Sequence, residues 1–148
     1  FTMFLFKKNF LLCNLDSFDK RAEPSEDWDF FITISKLNPQ IAHINKVLFQ
    51  WNLSSSSQSA NLQKETMALD YIINKHASYI LTETSTFNLS LQFRKLGHLY
   101  FKLRNEKKSI FYYCKARKIN PYSIKNWFFI SFNYLPNLCK KFLIQKIG

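Results

Sequence analysis

Only two glycines occur in the 148 residues of this chain, Gly97 and Gly148. Glycine is the residue that enters left-handed backbone conformations without penalty and lets a backbone approach a phosphate closely. A chain this poor in it is not built on tight glycine turns. It also lacks the glycine-rich phosphate loops of P-loop and dinucleotide-binding units. Proline takes over as the main punctuation, with Asn38-Pro39, Asn120-Pro121 and Pro136 marking the expected ends and starts of elements.

A chain of this length suffices for one domain with a real core, because chains of about 150 residues bury roughly 70% of their unfolded surface. It opens on Phe1 and runs into Thr2-Met3-Phe4-Leu5-Phe6-Lys7-Lys8, the texture of an interior strand or helix start, and is read as a fragment of a longer protein. The apolar run 1–6 is too short to span a bilayer and lacks the flanks of a signal peptide. Cys13, Cys114 and Cys139 are odd in number and unrelated in spacing, which fits buried thiols in a reducing cytosol better than a disulfide framework.

The formal net charge is +11, and its distribution is more informative than its total. Residues 1–89 carry 8 Lys/Arg against 9 Asp/Glu, whereas residues 90–148 carry 13 against 1. A basic second half suits an anionic partner such as an acidic lipid surface, and it also suits a plain solvated helix face.

Along the chain, Trp28, Phe31, Ile32 and Ser35 form one helical stripe, predicting a helix over 26–37 with Ser25 as its N-cap. Ile41–Ile44 and Val47–Trp51 read as two short strands or a strand and a bend, followed by a serine-rich loop over 52–59. The spacing of Leu62, Glu65, Leu69, Ile72, Ile73 and His76 predicts a helix of about four turns. Residues 78–87 show no clear period. Helices follow over 88–103, 106–119 and 122–134, with a final piece after Pro136. The aromatic clusters Phe111-Tyr112-Tyr113 and Trp127-Phe128-Phe129 interleave with Lys and Arg, and packing of a helical hairpin accounts for them better than nucleic acid does.

Glu26, Asp27 and Asp29 surround Trp28 where the first amphipathic helix should begin. Carboxylates in a first helical turn are stabilised by the helix dipole by roughly 0.3–1 kcal/mol, which explains their charges without any function. His43, His76 and His98 each read as structural and not as metal ligands.

Two resemblances accompany this reading. Phe93, Leu96, Gly97, Tyr100, Ser109, Tyr113, Ala116 and Pro121 resemble a single tetratricopeptide repeat. The order Leu5-Phe6-Lys7-Lys8-Asn9-Phe10-Leu11-Leu12, Phe18-Asp19, Glu26-Asp27-Trp28-Asp29, Val47-Leu48-Phe49-Gln50-Trp51-Asn52 and a serine-rich loop resembles the second half of family 2 glycosyltransferases.

The second resemblance implies an α/β fold, a partial GT-A type half-domain with a few short strands plus helices, followed by an α-helical hairpin tail. The implied boundaries are 1–77 for the catalytic part, 78–89 for a linker and 90–148 for a basic helical extension. It implies an inverting, nucleotide-sugar-dependent transfer in which Asp27 is the base, Glu26 assists by orientation and Trp28 lines the acceptor site. The implied partners are a nucleotide-sugar donor, a glycan or lipid-linked acceptor and an anionic membrane surface, with no nucleic acid. A divalent cation, Mg or Mn, is expected for the complete enzyme. The nucleotide half and its metal-binding motif are missing from this sequence, so the fragment alone is expected to be inactive. The implied location is cytoplasmic, extending to the inner face of the cell membrane. The alternative is a non-catalytic helical interaction module, or a degenerate transferase, docking on a partner or an anionic membrane.

Overall fold

The computed structural model describes residues 7–14, 18–42, 45–46 and 61–133. Their elements are α1 (Lys8–Asn14), a 3-10 turn at Lys20–Ala22, α2 (Glu26–Ser35), α3 (Leu62–Glu83), α4 (Thr86–Lys102), α5 (Glu106–Ile119) and α6 (Ile124–Asn133). No strand occurs among the described residues.

The α/β expectation is therefore corrected: among the described residues every regular element is helical. The apolar run that was to lead into the Phe18-Asp19 turn forms α1 from Lys8 onward, and Ile41-Ala42, expected to open a strand, is irregular. Val47–Trp51, the other expected strand, lies outside the described residues, as do His43, Ile44, the serine-rich loop and the segment after Pro136. Short apolar runs carry no period that separates a strand from a turn of helix, which is why the strand assignment had little to rest on.

The chain divides into two compact units, Phe1–Ile72 and Ile73–Gly148, and α3 contributes to both. In the first unit the Asp19 carboxylate organises the entry to α2. It accepts hydrogen bonds from the Arg21 backbone N–H at 3.1 Å, from Arg21 Nε at 3.0 Å and Nη2 at 3.0 Å, and from the Tyr71 hydroxyl at 2.7 Å. The Arg21 guanidinium lies over the Tyr71 ring, 4.7 Å from its centroid. One carboxylate thus caps the 3-10 turn and ties it to α3. Ala22, Phe30 and Ile34 are buried, and Phe18 packs against Phe30 with ring centroids 5.0 Å apart.

In the second unit α4 and α5 pack as an antiparallel hairpin along a stripe of small residues. Ser109 Oγ donates to the Gly97 carbonyl at 2.9 Å, and one helical repeat further on Ser90 Oγ donates to the Ala116 carbonyl at 2.9 Å. Small side chains at these positions let the backbones approach closely. Tyr113 lies against Gly97 on one side and stacks on Phe129 of α6 on the other, at 5.2 Å between ring centroids. Phe93, Tyr112 and Tyr100 continue the aromatic layer, with Tyr112 stacked 6.0 Å from Phe93 and 5.6 Å from Tyr100.

The connection between α4 and α5 is set by capping. The Arg104 N–H donates to the Phe101 carbonyl and the Asn105 N–H to the Tyr100 carbonyl, both at 2.9 Å, the paired bonds of a Schellman motif. Arg104 sits in the left-handed region with φ 57°, and the Asn105 side chain then accepts from the Lys108 N–H as the N-cap of α5.

α6 is held by Asn126, which is fully buried. Its Nδ2 donates to Ser90 Oγ at 2.9 Å and to the carbonyls of Ala116 and Asn120, each at 3.1 Å, while its Oδ1 accepts from Arg94 Nη1 at 3.3 Å. A single amide therefore joins α4, the end of α5 and α6. Pro121 lies in the turn that precedes α6 and not at its first position.

Candidate functional site

The three side chains singled out at the start of α2 take different places. Asp27 is exposed, and its Oδ1 accepts from the Trp28 N–H at 2.8 Å. The same N–H also donates to the Ser25 carbonyl at 3.0 Å, so it is shared between two acceptors. Glu26, the first residue of α2, is half-buried, and one of its carboxylate oxygens is shielded from solvent with no hydrogen-bond partner among the described residues. Trp28 is half-buried, and Asp29 is the buried acid of the group. Ser25 occupies the N-cap position without a side-chain capping bond.

A concave surface lies in the second unit, between α5 and the turn into α6. It is an open groove of about 580 Å³, a volume within the range of small-ligand and side-chain pockets. Phe111, Cys114, Lys115 and Lys118 come from one face of α5, at spacings of three and four residues. Arg117, Pro121 and Trp127 close the other side.

The aromatic walls are fixed in orientation. Trp127 Nε1 donates to the Pro121 carbonyl at 2.8 Å, and the Arg117 guanidinium lies over the indole, 4.6 Å from the ring centroid. Lys115 Nζ donates to Asn74 Oδ1 at 2.9 Å and lies 4.8 Å from the Phe111 centroid. Asn74 in turn donates to the Tyr112 hydroxyl at 3.1 Å. Cations placed over aromatic faces are held by the ring quadrupole. Phe111 and Trp127 remain about half exposed, at 52% and 50%.

The groove presents apolar walls, three cationic side chains and no carboxylate among its described lining residues. Such a surface can bind an anion that carries an apolar group. Among the described residues no group of three or more His, Cys, Asp or Glu side chains is placed to hold a metal ion. No described helix is long and apolar enough to cross a membrane.

Sequence reasoning assigned Phe111 and Trp127 to hairpin packing. The structure divides each cluster instead, with Tyr112 and Tyr113 buried while Phe111, Trp127 and Phe128 face outward. The signal that could have found the groove is the spacing 111, 114, 115, 118, an apolar and basic face on a helix whose opposite face already carries Ser109, Tyr113 and Ala116.

No family model matches the chain, and neither a curated protein nor a solved structure matches it. The resemblance to family 2 glycosyltransferases is overturned, because the half-domain it implies is built on a sheet and the described residues are helical throughout their regular elements. The single-repeat tetratricopeptide resemblance likewise has no family match behind it.

Proposed function

We propose that this chain is a non-catalytic helical interaction module whose basic second unit docks on an anionic partner. The observation that carries the reading is the groove of α5 and α6, where Lys115, Arg117 and Lys118 border aromatic walls with no carboxylate among the described lining. The charge pattern supports it, since residues 90–148 hold 13 Lys/Arg and a single acid, Glu106. A field of one sign raises the local concentration of an oppositely charged partner and speeds its encounter. Three unpatterned cysteines suit a reducing compartment, so the module is assigned to the cytoplasm.

The test is binding of the whole chain to immobilised polyglutamate across a salt series, with an uncharged polymer as control. Retention at low ionic strength that falls steeply as salt is raised is the expected outcome, because exposed charges are screened over about 10 Å at 0.1 M. Absent or salt-insensitive binding would remove the reading.

A further inference from the structure

We infer that the α5–α6 groove receives a short acidic peptide segment, with one bulky apolar side chain of the peptide seated between Phe111 and Trp127 and its carboxylates on Arg117 and Lys118. This rests on the interaction-module reading and names the partner's chemistry.

Three observations lead to this occupant. The groove is concave and apolar at its walls, so it takes an inserted side chain, whereas a bilayer is best met by a protruding apolar surface. Trp127 is unsuited to act as a wedge into lipid, because its indole N–H is bonded to the Pro121 carbonyl and one ring face lies under Arg117. It is a wall of fixed orientation. The charge is complementary to a carboxylate-bearing chain. The Arg117 guanidinium is held over the indole, 4.6 Å from its centroid, so its side chain is partly ordered before a carboxylate arrives and less freedom is lost on binding.

Lys115 is tied to Asn74 on α3 and stands over Phe111, which fixes one aromatic wall. Lys118 is exposed and accounts for the long-range attraction at the groove's edge. An aromatic anchor bordered by charges has the composition of an interface hot spot, where a few Trp, Tyr and Arg side chains dominate the binding energy.

The experiment uses fluorescence anisotropy with a fluorescein-labelled peptide carrying one Phe between runs of Glu, and the same peptide with Ala in place of Phe. The whole chain is compared with Trp127→Ala, Lys118→Glu and Lys95→Glu. Lys95 is exposed on α4 and is not part of the groove, so its variant changes net charge by the same amount as Lys118→Glu. The inference expects Trp127→Ala and Lys118→Glu each to weaken binding about tenfold or more, Lys95→Glu to change it less than about twofold, and the Ala peptide to bind about tenfold more weakly.

Equal losses from Lys95→Glu and Lys118→Glu, or equal binding of the Phe and Ala peptides, would overturn the groove while leaving the basic docking module standing. Co-sedimentation with phosphatidylserine vesicles that is abolished by Trp127→Ala, with no binding of either peptide, would assign the face to a bilayer and overturn the inference. Circular dichroism and thermal melts establish that each variant is folded. If Trp127→Ala is not, the matched pair at Lys118 and Lys95 decides the question.

Discussion

A Cβ placed on Gly97 would lie 2.8 Å from both Cδ1 and Cε1 of Tyr113 and 3.1 Å from its Cγ. The ring has nowhere to retreat, because Phe129 stacks on it at 5.2 Å. Glycine inside a helix ordinarily costs about 1 kcal/mol relative to alanine, so on propensity alone Gly97→Ala would stabilise α4. Overpacking of this kind costs about 1–3 kcal/mol and outweighs that gain. Urea denaturation of Gly97→Ala should show a lower midpoint at an unchanged slope, and a higher midpoint would refute the close packing of α4 on α5.

The buried amide of Asn126 supports a second prediction. Its removal in Asn126→Ala deletes three buried hydrogen bonds, to Ser90 Oγ and to the carbonyls of Ala116 and Asn120, while Ser90 Oγ keeps its bond to the Ala116 carbonyl. Each lost intramolecular hydrogen bond costs about 0.5–1.5 kcal/mol, and the space left by the side chain adds to that. The variant should lose at least about 2 kcal/mol, and amide hydrogen exchange should rise first in α6. A double-mutant cycle with Ser90→Ala should give a coupling of about 0.5–1.5 kcal/mol. Strict additivity would show that the bond between the two side chains contributes nothing.

Arg104 occupies the left-handed position of the turn after α4, where glycine is the favoured residue. The strain of a Cβ there is about 1–2 kcal/mol, and part of what Gly recovers is returned as entropy of the unfolded chain. Arg104→Gly should therefore raise stability by about 0.5–1 kcal/mol, seen as an increase in Tm. A decrease would mean that the Arg104 side chain contributes more than the backbone strain it imposes.

Burial pushes the Tyr113 phenol up to about 12, with partial relief from its hydrogen bond with Ser109 and from the charge of Arg94. An unfolded phenol titrates at about 10. Between these values the unfolded chain has released a proton that the folded chain keeps, so stability from this group is complete below pH of about 10 and is lost as pH rises towards about 12. Thermal melts from pH 9 to 12 should fall more steeply for the wild type than for Tyr113→Phe. Parallel profiles would show that Tyr113 titrates as it does in the unfolded chain.

Local patterning carried much of the helical layout. α5 occupies Glu106–Ile119, the range read from periodicity, and α4 and α2 differ from their expected ranges by one or two residues at an end. These are the segments where an apolar stripe coincides with a good cap, such as Asn105 before α5 and Ser85 before α4. α3 was underestimated. Residues 78–83 lack a period, yet the helix continues through Glu83, with Thr82 Oγ1 donating to the Ser78 carbonyl at 3.1 Å and Thr84 Oγ1 to the Ile80 carbonyl at 2.6 Å. Such back-bonding satisfies the hydroxyls within the helix. His76, the last residue of the expected stripe, lies within α3 and is buried.

The candidate groove was less legible than the helices, because the same residue types serve both burial and exposure. Tyr112 and Phe111 are neighbours of similar size, yet the more polar Tyr112 is buried and Phe111 forms a wall. Nothing in either side chain determines which.

Sequence alone determined that this chain has no glycine phosphate loop, that its elements are punctuated by Asn and Pro, and that its positive charge is concentrated after residue 90. These follow from backbone sterics and from counting charges, both of which are local. Only tertiary structure decided that Ile41-Ala42 is irregular where a strand was expected, that Tyr113 fills the space opened by Gly97, and that Trp127 lies against Arg117. The reason is physical. Side-chain direction on a helix is set by where its neighbours pack, and the contacts between Ser90 and Asn126 or Gly97 and Tyr113 join residues whose separations along the chain carry no periodic trace of their meeting.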